Sequence, residues 1–278
     1  MIVDTHVHVV AADREAYPLH PTGVSLDWFR EAPVTVERFL ERMTAAGVDR
    51  AVLVQPMSAY GFDNRYVIDS ARVYSDRLAS VVIVDTADDP ARRLRAMTAE
   101  GVSGVRLFAI ENPTLSRLDD ANALPLWEVA TELGLPIVVT ILSGQLPELR
   151  AMLERFPEAT VALDHCAFPD LSGGPPYEKA GDLFALATQP NVTLKVSSHL
   201  LEQAEATGDA CDLVDRLAAA FGADRLLWGS DYPQTHDRSY ADLVELGRAA
   251  CSRLPPADRR AFLGENALRV WPSLGGGT

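Results

Sequence analysis

Two histidines one residue apart, His6 and His8, close the apolar run MIVDTHVHVV at the start of the chain. In a strand alternate side chains share a face, so both imidazoles stand beside Asp4 while Val7 and Val9 face the other way. Two buried imidazoles without a function would each need hydrogen-bond partners of their own. Other chemistry-bearing residues follow later apolar runs: Arg106 in GVRLF, Asp164 and His165 after TVAL, Lys195 in VTLKVS with His199 just beyond, and Asp231 in WGSDYP, with His236 after it. A carboxylate behind an apolar strand, as Asp231 is, must be solvated, cap a turn, or pair with a cation or metal. Histidines and a carboxylate together suit hydrolysis, where one group takes a proton from water and others hold the oxyanion developing on a carbonyl.

These residues act together only if the strands carrying them converge. Eight short apolar runs (IVDTHVH, RAVLVQ, LASVVIV, GVRLF, PIVVTI, TVALDH, VTLKVS and RLLWGSD) alternate with stretches such as VERFLERMTAAG, LPELRAMLERF, EKAGDLFALAT and ACDLVDRLAAAFG, whose apolar residues recur three or four apart. This alternation indicates an α/β protein with a parallel sheet, either open and doubly wound or closed as a (β/α)8 TIM barrel. Eight strands over this length favour a single barrel domain, residues 1–278. The turn after the first strand, VAADREAY, lacks the glycines that cradle a dinucleotide phosphate.

A barrel gathers the C-terminal ends of its strands into one ring, so the polar residues above face a common space. Residues 9–34, with Tyr17 and Trp28, and residues 166–177, CAFPDLSGGPPY, follow strands and should form active-site loops on that rim. His165 is expected to face the site, with Asp164 on the opposite face as a structural hydrogen-bonder. Arg106 is placed to grip a carboxylate bidentately, or else to pair with a neighbouring strand.

Composition excludes other function classes. With 25 Lys and Arg against 39 Asp and Glu, the chain lacks the cation clusters that bind nucleic acid by releasing counterions. No apolar run reaches the roughly 18 residues of a membrane span, and no leader-like pattern opens the sequence, so a cytoplasmic protein is expected. Three cysteines far apart, Cys166, Cys211 and Cys251, suit reduced thiols rather than a disulfide framework. A small-molecule partner is expected, and a homo-oligomer is compatible with the sequence.

DTHVH in the first strand, LDH at the sixth, WGSDYP at the eighth and the closing FLGENALRVW together resemble the amidohydrolase-related branch (amidohydrolase 2) of the metal-dependent hydrolases. The likeness is nearest to the group that includes 2-pyrone-4,6-dicarboxylate lactonase and sugar lactone hydrolases, and it spans the whole chain. It implies a distorted (β/α)8 barrel in which His6, His8, His165 and Asp231 surround the reacting carbonyl. Two departures bear on metal. The fourth strand, GVRLF, has no lysine for a carbamate bridge and no glutamate, which argues against a two-metal centre. The fifth, PIVVTILSG, has no histidine where mononuclear members supply a ligand.

His6, His8 and Asp231 remain as a ligand set for one divalent ion such as Zn2+, with His165 as a fourth ligand or behind the first three. Metal-free catalysis, with the three imidazoles serving the oxyanion, stays open. The expected activity is hydrolysis of a C–O bond in a small, carboxylated lactone or cyclic ester. Asp231 would be the general base, with Arg106, Lys195, His199, Tyr17 and Trp28 around the substrate, Lys195 being equally placed for a structural role. Two alternatives stand beside it: a metal-dependent non-oxidative decarboxylase, which would need the missing fifth-strand histidine, and a non-catalytic barrel that only binds a ligand.

Overall fold

The eight apolar runs form eight parallel strands: β1 Val3–Val7, β2 Arg50–Val54, β3 Leu78–Ile83, β4 Gly104–Phe108, β5 Ile137–Thr140, β6 Val161–Leu163, β7 Val192–Ser197 and β8 Leu226–Gly229. The structure, a computed structural model, describes residues 1–22, 27–87, 89–110, 117–234 and 238–275. The strands are hydrogen-bonded in chain order from β1 to β8. They read as nearly continuous Val, Ile, Leu and Ala because helices cover the outside and side chains fill the inside. Those helices include Val36–Ala45, Arg65–Val73, Pro90–Ala99, Leu124–Glu132, Leu146–Arg155, Ala210–Phe221 and Tyr240–Ala250. The single helix expected over 178–188 is instead a short α-turn, Gly181–Ala185, between two 3-10 turns, Glu178–Ala180 and Leu186–Thr188. Gly181 stands at the first break, where its backbone freedom weakens helix propagation.

This is a single-domain (β/α)8 TIM barrel, and its distortion is concentrated at one seam. β1 and β8 share no continuous ladder: an isolated parallel bridge joins Val7, the last residue of β1, to Tyr232, beyond β8. Around it, Asp231 N donates to His6 O (2.9 Å) and His8 N donates to Tyr232 O (2.8 Å). The β1–β2 register slips between Asp4 and Val7. The seam therefore joins the two segments that carry the histidine pair and Asp231.

The barrel interior is layered. Val3, Val52, Ala79, Val138, Ala162 and Leu227 fill the strand N-terminal half, closed from below by Ala267, Val270 and Trp271 of the C-terminal segment. Above that apolar plug the inward positions turn polar, beginning with Lys195, whose Nζ lies 5.9 Å from the Trp271 ring centroid. Outside the barrel, helix Tyr240–Ala250 packs so closely on β8 that a Cβ on Gly247 would overlap the Trp228 indole. Gly247→Ala should therefore destabilise the fold by about 1–3 kcal/mol through overpacking. Equilibrium chemical denaturation reads this, and an unchanged midpoint would contradict the packing described. Among the described residues no helix is long and apolar enough to cross a membrane.

Candidate active site

The site is assembled at the seam. Strand β1 turns His6 and His8 inward, and β8 must approach closely enough to bring Asp231 beside them. Gly229 permits that approach: a Cβ there would lie 3.0 Å from His6 Cβ and 3.1 Å from His6 N. Asp231 then adopts a left-handed backbone, φ 59°, in the turn after β8. Such a conformation is disfavoured for a residue with a Cβ, and two seam hydrogen bonds, from Asp231 N and His8 N, hold the segment there.

Three ligand-type atoms converge. His6 Nε2 and His8 Nε2 are 3.2 Å apart, and Asp231 Oδ1 lies 3.6 Å from the first and 3.5 Å from the second. His8 Nδ1 meets Val54 O at 2.8 Å, and a carbonyl only accepts, so Nδ1 carries a hydrogen and Nε2 is the ring nitrogen turned to the trio. Asp231 Oδ1 is buried and makes no hydrogen bond. A buried carboxylate oxygen left so is a costly arrangement unless a cation sits between it and the two imidazoles. The spacings match a face of a tetrahedral zinc site, where bonds near 2.05 Å put ligand atoms about 3.3 Å apart. The donor set and the orphaned oxygen thus fit one divalent ion.

Burial pushes the Asp231 carboxyl up, but His165, His8 and His6 outweigh it and hold the group below the usual carboxylate range. Burial, with Lys195 adding to it, holds His6 well below its ordinary value. His165 is pushed down to about 4, chiefly by burial, and is neutral at pH 7.

Beneath this trio lies a charged layer of Asp164, Arg106 and Lys195, joined by Thr140, the member that the sequence did not single out. Asp164 Oδ1 meets Lys195 Nζ at 2.8 Å and His6 Nδ1 at 3.1 Å. Its Oδ2 accepts from Arg106 Nε (2.9 Å) and Thr140 Oγ1 (2.7 Å). The placement of Asp164 opposite His165 is corrected: both are drawn to the site. Strand β6 stops at Leu163, and His165, Cys166, Ala167 and Phe168 then take successive left-handed φ values of 53°, 51°, 61° and 50°. Alternation holds only in extended backbone, so this turn carries His165 inward after Asp164. The parity Ala162, Asp164 was the available signal, since Ala162 is an interior residue. His165 Nδ1 in turn meets Ser197 Oγ at 2.9 Å.

Above these groups opens a cavity of about 310 Å³, lined among others by His8, Trp28, Arg106, His165, Phe168 and Asp231. Trp28, from the first long loop, stacks on His8, and Phe168, from the second, stacks on His165. Three expected substrate contacts lie elsewhere. Lys195 is fully buried below the site, with its ammonium against Asp164 and His6 Nδ1. The Tyr17 hydroxyl donates to Asp69 at 2.9 Å, and His199 pairs with Gln203 at 2.9 Å. Neither Tyr17 nor His199 lines the cavity. His236, and residues 23–26 of the first loop, lie outside the described residues.

Asp4 supports the seam, its Oδ1 accepting from His6 N and Ser230 N and its Oδ2 from Tyr240 Oη. Burial nevertheless pushes its carboxyl from 3.8 up to about 6, against those hydrogen bonds. A folded pKa above the unfolded one gives stability that is full at low pH and is lost as pH rises through 6. Between about pH 4 and pH 8 the wild type should lose up to roughly 3 kcal/mol relative to Asp4→Asn, which cannot ionise. Denaturation of both proteins across that range tests it, and a gap that stays constant would be evidence against the shift.

Comparison with known proteins agrees with the geometry. The chain is 28% identical over 280 residues to L-fucono-1,5-lactonase from Burkholderia ambifaria, with 97% of this chain and 94% of that protein covered. It is 27% identical to 4-sulfomuconolactone hydrolase from Rhizobium radiobacter, with 84% and 75% covered. The crystal structure of a proposed 2-pyrone-4,6-dicarboxylic acid hydrolase from Pseudomonas putida superposes with a TM-score of 0.81 at 26% identity, covering 98% and 97% of the two chains. The Amidohydrolase family profile matches residues 3–273. With that match running from β1 through the C-terminal plug, the chain is a hydrolase of the Amidohydrolase family.

Proposed function

We propose that this barrel hydrolyses the ring C–O bond of a small carboxylated lactone or cyclic ester. The observation that carries the reading is the convergence of His6 Nε2, His8 Nε2 and the unpartnered Asp231 Oδ1 beneath a cavity on the barrel's C-terminal rim. The two lactone-hydrolysing relatives support the bond type.

Asp231, ionised at neutral pH, takes a proton from the attacking water and returns it to the departing ring oxygen. His165, with Ser197 donating to Nδ1, holds a hydrogen on Nε2 for the oxyanion that forms on the carbonyl. Arg106, its Nε fixed by Thr140 and Asp164, offers the rest of its guanidinium to a substrate carboxylate. The aromatic rings of Trp28 and Phe168 keep bulk water from the reacting carbon. A divalent ion held by His6, His8 and Asp231 would supply Lewis acidity and bring the pKa of bound water toward ~7.

Lactone hydrolysis followed by proton release in weak buffer tests the activity. Turnover of lactones by the wild type is expected, and carbon dioxide release from unsaturated acids without any lactone cleavage would replace this reading with the decarboxylase one. The metal has its own readout: elemental analysis should find about one equivalent of zinc per chain after loading, and His8→Gln should abolish it. Removal by a chelator should suppress turnover and re-addition restore it. Full turnover in metal-free protein would instead assign the oxyanion to the imidazoles alone.

A further inference from the structure

We propose that the substrate of this site is a lactone with a flat apolar ring or arm bearing one carboxylate, and that polyhydroxylated sugar lactones are discriminated against. This rests on the lactonase reading and deepens it. Three polar groups of the reacting floor are backed by aromatic rings: Trp28 stacks on His8 at 5.6 Å, Phe168 on His165 at 4.6 Å, and Arg106 Cζ lies 4.9 Å from the Phe108 centroid. Met57, Ile110 and Leu142 complete the walls. The hydroxyl of Thr140 is already spent, donating to Asp164 Oδ2 while accepting from Arg106 Nε. Beyond the floor, the polar lining among the described residues reduces to Ser58 and Gln234. A ring with a hydroxyl on most carbons would leave several of them desolvated against aromatic walls, whereas a flat apolar ring stacks there.

Charge selects the carboxylate. Arg106 and Lys195 share one carboxylate, Asp164, all three at most 4% exposed, so the trio holds an excess positive charge. Arg106 is the one Arg or Lys lining the cavity among the described residues. In a poorly hydrated pocket an anion meeting it is attracted more strongly than in water.

The test compares kcat/KM for isocoumarin-3-carboxylate, neutral 3,4-dihydrocoumarin and L-fucono-1,5-lactone, with calorimetric binding of benzoate against D-gluconate as a readout independent of turnover. Both aryl lactones should exceed the sugar lactone by roughly tenfold or more, and benzoate should bind more tightly than gluconate by a similar factor. Arg106→Gln should lower kcat/KM for the carboxylated lactone by about tenfold or more beyond whatever it costs dihydrocoumarin, and an equal loss on both would remove the carboxylate from Arg106. A sugar lactone turned over as well as the aryl ones, or gluconate bound as tightly as benzoate, overturns the inference while lactonase activity stands. If no lactone is cleaved yet benzoate still binds preferentially, the lactonase reading fails and the pocket chemistry holds.

Discussion

Asp231→Asn should lower kcat by roughly 10²–10⁴-fold on any lactone the enzyme accepts, with a much smaller change in KM. The amide keeps the size and the turn but cannot take a proton, and the proton is in flight only in the transition state. The effect therefore falls on kcat rather than on substrate binding. Stability should change little, because Asp231 Oδ1 makes no hydrogen bond in the fold. An unfolding midpoint near the wild-type value alongside collapsed turnover is the expected pair of results. Wild-type turnover in this variant would remove Asp231 from proton transfer.

The largest expected effect on stability belongs to Asp164. It is fully buried and is the carboxylate against which both Arg106 and Lys195 are placed, so Asp164→Asn strands two buried cations. Breaking a buried pair from one side typically costs about 3–5 kcal/mol, and the amide nitrogen would in addition face the Lys195 ammonium or the Arg106 and Thr140 donors. Adding Lys195→Met should restore much of the loss, since it removes one stranded charge and places an apolar side chain above Trp271. Denaturant titration of the two single variants and the double variant gives the coupling, and strict additivity would mean that Lys195 and Asp164 do not act as a pair.

The same carboxylate sets an acid limit. Burial pushes the Asp164 carboxyl up, but Lys195, His6 and Arg106 outweigh it and hold it well below 3.8. A depressed folded pKa gives stability that is present above the unfolded pKa and lost as pH falls below it toward the folded one. Acid unfolding of the wild type should therefore be steeper than that of the Asp164→Asn/Lys195→Met double variant.

Much of this was legible from residue order. All eight strands and most helices fall where apolar runs and three-to-four spacing placed them, because a parallel sheet buried on both faces leaves little freedom in what its strands contain. His6, His8, His165 and Asp231 were identifiable as polar residues ending apolar runs, and the barrel brings strand ends together whatever the loops do. Lys195 was legible as polar but not as to its target. Its strand face was right, yet its depth, one layer below the cavity, depends on how far up the barrel the residue sits and on Asp164 being there to receive it.

The sequence by itself determined the alternation of elements, and with it the barrel and the ring of strand ends, since both follow from local periodicity and chain length. Only the tertiary structure decided which atoms meet. The left-handed turn after Leu163, the slipped register of β1 and the close approach allowed by Gly229 are non-local outcomes of closing β1 against β8. They bring His6 Nε2 and His8 Nε2 to 3.6 and 3.5 Å from Asp231 Oδ1, and distances of that kind depend on packing between segments more than 200 residues apart.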